Sequence, residues 1–459
     1  MRDAVRMVAE DYFEQGNAYY EREQYREAIK EYEKALKVQP TEYPVYDKMG
    51  LAHASLGEHN KAIKCHERAL KINPEDAGAW YHMGLAYGVL GKYNMAIDCY
   101  QKALKINPDY GDAWASMGAY SLKLGDPNKA SECIQKAIDC YQKALKINPQ
   151  NAESCAKIGA LYTVLGQHDK TIDYYQKAVE INPQYIDAWS SLGTVYDKLG
   201  EASKAIDCYQ KAVTINPKNA AAWVGLGNVY GALGEFNKTL ECGQKALAIN
   251  PKEATALTQM GIAHSLLGKH NEAIKCHERA LKINPEDAGA WYHTGSTYKA
   301  LGKYNKAIEC HERALKINRD YVAALIEMGV NYARLGKRAK TIECWKRVLE
   351  INPKDATMWI DLGVVYRDLG DHAKAIDCCQ KALEINPESA KPWTYMGSVY
   401  TVSHDYNKAI DCYQKAVAIN PKDADTWAVM GLTYALLGKS DQAKECVQKS
   451  QNLKTSSQE

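Results

Sequence analysis

A glycine that returns every 34 residues constrains this chain more than any other feature. It stands at Gly16, Gly50, Gly84, Gly118, Gly159, Gly193, Gly227, Gly261, Gly295, Gly329, Gly363, Gly397 and Gly431. Every interval is 34 residues except the 41 between Gly118 and Gly159. A fixed period in this range marks a solenoid, in which each unit buries its apolar face on its neighbours. A chain of 459 residues would otherwise suggest two or three globular domains. The period argues instead for one elongated array of about thirteen units.

The stretch from Ala288 to Tyr321, AGAWYHTGSTYKALGKYNKAIECHERALKINRDY, shows what one unit contains. Trp291, Gly295 and Tyr298 fall on one helical stripe, and Leu301-Gly302 ends that first helix. Ala307, Ile308, His311, Ala314 and Leu315 form the stripe of a second helix. Small Ala307 and Ala314, with Gly295 opposite, allow the two backbones to approach closely. Asn-Pro stops the second helix in most units, because the residue before proline is pushed out of the helical region. In this unit Arg319 replaces the proline.

The constellation of Trp, Leu/Met-Gly, Tyr, Ala, Tyr, Ala and Pro, as in AWYHMGLAYGVLGKYNMAIDCYQKALKINP, resembles the tetratricopeptide repeat (TPR) family. The resemblance spans roughly residues 9–451. It implies an all-α, right-handed superhelical solenoid of antiparallel helix pairs, with the first helix of each pair lining a concave groove that binds protein segments. Two sub-patterns of the family are missing: the Lys/Asn set that clamps a peptide carboxylate, and an asparagine ladder, since Asn17 and Asn228 are isolated.

After an N-terminal extension, 1–8, the units fall near 9–42, 43–76, 77–110, 111–151, 152–185, 186–219, 220–253, 254–287, 288–321, 322–355, 356–389, 390–423 and 424–451. Gln15 stands where later units carry Leu or Met, so the first unit reads as a cap. Ala62–His82 reappears letter for letter at Ala273–His293, the trace of an internal duplication. Unit four carries seven additional residues. Two helical turns take about 7.2 residues, so the insertion keeps phase, and a longer second helix is expected, with Ala130, Ala137 and Ala144 on one face. Unit twelve has Ser403-His404 in place of Leu-Gly. Lys444, Ser450 and Gln451 make the last second helix polar, as befits a solvated C-terminal cap, and a disordered tail is expected over 452–459.

A net charge of +2 with 25% charged residues favours neither nucleic acid nor an acidic membrane. There is no apolar run near membrane-spanning length and no signal-peptide core, so a cytoplasmic protein is expected. Eleven of the fourteen cysteines occupy one repeat position: Cys65, Cys99, Cys133, Cys208, Cys242, Cys276, Cys310, Cys344, Cys378, Cys412 and Cys446. Packed helix axes lie roughly 8–10 Å apart, beyond the reach of a disulfide between layers, so these read as reduced packing residues. Cys65-His66, Cys276-His277 and Cys310-His311 lack the convergent spacing of a zinc site, and their histidines take a slot that most units fill with tyrosine. Gly438-Lys439-Ser440 lacks the leading glycine and strand of a phosphate loop. Neighbours such as Cys378 and Cys379 point about 100° apart on a helix. Asn237-Lys238-Thr239 matches a glycosylation acceptor, but Thr239 holds a core position. No arrangement points to catalysis, a cofactor or a metal.

The informative surface is the exposed side of each first helix. Tyr292, Ser296 and Lys299, then Ile326, Val330 and Arg334, then Ile360, Val364 and Arg367, then Lys391, Thr394 and Ser398 place apolar centres beside basic flanks. Exposed apolar patches of this kind mark interaction sites. The expected function is a non-enzymatic scaffold for protein or peptide clients. The alternatives are a recognition subunit of a larger enzyme complex and a self-assembling array.

Overall fold

A computed structural model describes residues 2–455, and among these every regular element is an α-helix. The chain forms two compact units, Met1–Gly225 and Leu226–Glu459. The first holds α1 (Arg2–Glu21), α2 (Tyr25–Val38), α3 (Tyr43–Ser55), α4 (His59–Ile72), α5 (Ala77–Val89), α6 (Tyr93–Ile106), α7 (Gly111–Lys123), α8 (Pro127–Ile147), α9 (Ala152–Val164), α10 (His168–Ile181), α11 (Ile186–Lys198) and α12 (Ala202–Ile215). It ends inside α13 (Ala220–Ala232). The second continues with α14 (Phe236–Ile249), α15 (Ala254–Leu266), α16 (His270–Ile283), α17 (Ala288–Ala300), α18 (Tyr304–Ile317), α19 (Val322–Arg334) and α20 (Arg338–Ile351). It closes with α21 (Ala356–Asp368), α22 (His372–Ile385), α23 (Ala390–Val402), α24 (Tyr406–Ile419), α25 (Ala424–Leu436) and α26 (Ser440–Thr455).

The repeated glycine sits where a ring needs its space. A Cβ at Gly84 would stand 2.6 Å from Tyr100, one at Gly50 2.5 Å from His66, and one at Gly329 2.3 Å from Trp345. The ring comes from the second helix of the same unit, sixteen residues on in each case, and locks the pair face to face. Ala62 and Ala69 of α4 are wholly buried, so the backbones approach without a side chain between them. A second recurring lock joins one unit to the next. The indole N–H of Trp80, Trp114, Trp189, Trp223, Trp291, Trp359 and Trp427 donates to the proline carbonyl six residues earlier, at 2.9–3.0 Å. Asn-Pro therefore ends one helix and anchors the start of the next.

Within each unit, successive first helices touch: α3 with α5 and α5 with α7, and again α15 with α17 and α21 with α23. Successive second helices make no comparable contact. The first helices therefore lie on the inner side of the stack. α19 and α21 are an exception to the close approach of first helices, as are α7 and α9, which flank the insertion.

The seven extra residues lengthen α8 to 21 residues, against 14 in α6 and 16 in the terminal α26. Ala130 and Ala137 are buried, while Ala144 is half-buried. Ile134 takes the ring slot opposite Gly118, and Tyr141, two turns on, reaches Gly111 and donates to Asp112 Oδ1 at 2.7 Å. His404 adopts φ 63° where other units place a turn glycine such as Gly302 at φ 69°. Gln15 and Lys444 are exposed. Residues 452–455, expected within the tail, continue α26; the rest of that expected tail, 456–459, lies outside the described residues.

Candidate functional site

The residues expected to bind a client all belong to the second compact unit, on α17, α19, α21 and α23. Arg334 and Lys391 are exposed, whereas Tyr292, Ser296, Lys299, Ile326, Val330, Val364, Arg367, Thr394 and Ser398 are half-buried. Ile360 departs from its expected exposure: it is buried, with 7% of its surface accessible. Its helix α21 lies against α23, the neighbouring first helix. Tyr292, Ile326 and Val330 also rest against the core of α18–α23, so this face does not stand apart from the packing as the sequence suggested.

The basic flanks are partly engaged within the protein. Lys299 Nζ pairs with Glu327 at 2.7 Å, and Arg367 pairs with Asp368 at 2.9 Å and donates to Ser398 Oγ at 3.2 Å. Ser296 Oγ and Thr394 Oγ1 donate to backbone carbonyls of their own helices. Asp361, which sequence reasoning missed, is half-buried beside Lys391. Burial and then the charge of Asp355 raise its carboxyl above the ordinary carboxylate value, with Lys391 opposing.

Two cavities open in the same unit, each between a first helix and the second helices on either side of it in the chain. One of about 470 Å³ is lined by Leu281, Trp291, Thr294, Tyr298 and Arg313, and one of about 390 Å³ by Leu349, Trp359, Tyr366 and Lys381. Neither includes any of the twelve expected client-binding residues.

All fourteen cysteines are free, and ten of the eleven at the repeat position are buried, Cys276 being half-buried. Burial pushes the Cys65, Cys99 and Cys208 thiols up to about 11, and Cys310 up to about 12, which suppresses the thiolate. His66, His277 and His311 are wholly buried in the ring slot, as packing residues would be.

His66 does more than fill space. Its Nδ1 lies 2.8 Å from Asp47 Oδ1, and His82 Nδ1 lies 3.2 Å from the same oxygen. The three donor atoms fall within 4.8 Å of one another. Burial disfavours the Asp47 carboxylate, but hydrogen bonds from His66 and His82 outweigh it and hold the group well below the usual carboxylate range. Asp47 comes from α3, His66 from α4 and His82 from α5, so nothing in local sequence announced the meeting.

The tandem helix pairs, ring-filled glycine slots and proline-capped ends define a helical-repeat array. Models of the tetratricopeptide repeat match residues 16–57, 50–90, 77–110 and 99–130. The cilia and flagella-associated protein 70 C-terminal domain matches 142–325, and the middle TPR-like domain of that protein matches 344–454. The chain belongs to the tetratricopeptide repeat family. It is similar to a chain in the crystal structure of the APC/C hetero-tetramer Cut9-Hcn1, with 17% identity, 94% of this chain and 96% of that chain covered, and a TM-score of 0.42. No curated protein matches the sequence. Membership in the family supports a TPR protein-interaction scaffold, and no helix among the described residues is long and apolar enough to cross a membrane.

Proposed function

We propose that this chain is a non-catalytic scaffold that holds a protein segment against the first helices of residues 288–423. The observation that carries the reading is the inner-side row of half-buried Tyr292, Ile326, Val330 and Val364, with exposed Arg334 and Lys391 at its edges. Such a row suits a client with an aliphatic anchor flanked by acidic residues. Apolar anchors dominate interfaces of this kind, and edge charges tune rate and specificity. Ser296, Thr394 and Ser398 supply polar contacts along the row, while Lys299 and Arg367, already paired, shape it.

The proposed setting is the cytoplasm. The likeness of 142–325 and 344–454 to domains of a cilia and flagella-associated protein makes cilia the first compartment to examine. The test is fluorescence anisotropy with peptides carrying an aliphatic pair between glutamates, alongside capture from lysate. Arg334→Glu, at an exposed side chain, is expected to leave melting unchanged and to weaken binding most at low salt. Ile326→Asp is expected to remove the anchor's seat. Binding unchanged in both variants, with unchanged melting, would place the client elsewhere.

A further inference from the structure

We propose that Asp47, His66 and His82 form a binding site for one divalent transition-metal ion, of which zinc is the probe. Two imidazole nitrogens and one carboxylate oxygen are a donor set that suits ions of intermediate softness, and three protein ligands leave a position open. The spacing is close to what such an ion requires. Bonds of about 2.0–2.1 Å in a tetrahedral arrangement set neighbouring donors about 3.3 Å apart. Here the two nitrogen–oxygen separations are 2.8 and 3.2 Å, and all three donors lie within 4.8 Å. Seating the ion requires the two imidazole nitrogens, which lie within 4.8 Å of each other, to close toward that spacing around the shared carboxylate oxygen.

The surroundings fix which atoms ligate. His66 is packed over Gly50, a Cβ of which would meet its Cε1 at 2.5 Å, its Nε2 at 2.7 Å and its Nδ1 at 2.9 Å, and it is Nδ1 that lies 2.8 Å from Asp47 while Nε2 is buried without a partner. Asp47 already accepts from both imidazoles, which orients the three groups before any ion arrives. The His66 side chain is 1% exposed, whereas Asp47 is 16% and His82 24% exposed. One edge is thus rigid and the other open to solvent, giving the ion an entry path and its fourth position to water. On binding, two N–H···O bonds are replaced by two nitrogen–metal bonds and one oxygen–metal bond, and each neutral imidazole carries its proton on Nε2.

The duplicated segment supplies an internal control. Ala273–His293 repeats Ala62–His82 letter for letter, and His277 and His293 again lie close, with ring centroids 6.4 Å apart. The residue at the Asp47 position is Thr258, whose hydroxyl is buried with no hydrogen-bond partner. That copy offers two imidazoles and no carboxylate, so a single site per chain is expected.

The experiment is zinc titration of the full chain, kept reduced, against a chromophoric chelator, with cobalt(II) absorption to identify the ligands. One equivalent is expected, with a spectrum of nitrogen and oxygen ligation. Asp47→Asn and Asp47→Thr are expected to weaken binding by more than about 100-fold while leaving circular dichroism unchanged. His82→Gln, at the open edge, is expected to act in the same direction without touching the buried slot. Unchanged affinity in the Asp47 variants, or a thiolate-to-cobalt charge-transfer band, would overturn the proposal.

Discussion

Ala62–His82 and Ala273–His293 are the same 21 residues in two places, and they do not make the same site. In the first copy Asp47, supplied by the preceding helix, gathers His66 and His82 around one carboxylate oxygen. In the second copy Thr258 stands in that place, and both ring nitrogens of His277 are buried without a partner. Burial, and then the charge of His293, push His277 down to about 4. At the far end of the segment, Met83 in one copy becomes Thr294 in the other, where a cavity opens between Trp291 and Tyr298. A repeat array thus determines the backbone within a unit and the chemistry between units.

The largest expected effect is common to both copies. Gly50→Leu and Gly261→Leu each drive a side chain into the imidazole that fills the slot, since a Cβ alone would stand 2.5 Å from His66 and 2.4 Å from His277. Overpacking of this kind costs about 1–3 kcal/mol or more. Hydrogen exchange should report loosening centred on the substituted pair and its neighbours, because coupling runs between adjacent units. A disturbance spread evenly from one end to the other would break the analogy between copies.

Acid should separate them. His277 and His311 are held near 4, mainly by burial, against about 6.5 when unfolded. A depressed folded value means that the neutral, packed form is fully stabilising above about 6.5 and loses its contribution as pH falls toward 4. The loss is at most about 3 kcal/mol per histidine. Asp47, also depressed, keeps its contribution above the ordinary aspartate value and loses it only in stronger acid. With a chelator present, exchange measured between pH 7 and pH 4.5 should rise around α15–α18 before it rises around α3–α5. Simultaneous loosening would count against the role assigned to Asp47.

A smaller effect sharpens the same contrast. Thr258→Asp rebuilds the first copy's carboxylate in the second and offers His277 and His293 an acceptor. It should raise the His277 titration, read by NMR, and weaken the acid sensitivity of α15–α18, by about 1 kcal/mol. A His277 titration left where it was would mean that the ring cannot turn toward position 258.

The 34-residue glycine period made the fold legible, because in most units a ring from the second helix, sixteen residues on, fills the space the glycine leaves. The long α8 was legible for the same reason, seven residues being close to two whole turns. The buried histidines of the ring slot follow from the repeat pattern, but Asp47 and His82 lie on other helices and share no local pattern with His66. Ile360 shows the converse limit. An apolar residue on a first helix looks exposed in one unit taken alone, yet Ile360 is buried in the assembled array. Contacts within a unit follow from its own spacing, whereas contacts between units depend on how far each layer turns.

The smallest expected effect concerns Cys65 and Cys276, which hold the same place in the two identical segments. Cys65 is buried and its thiol is pushed up to about 11, chiefly by desolvation. Cys276 is half-buried, and although burial raises its thiol too, reagent can reach it from solvent. The reactive species is the thiolate, so access and acidity together set the rate. Under native conditions a maleimide should modify Cys276 several-fold faster than Cys65, with peptide mapping to distinguish them, and without a change in melting. Equal rates in the native state, matching those in denaturant, would mean that both segments open together, and that the difference in packing between the copies does not persist in solution.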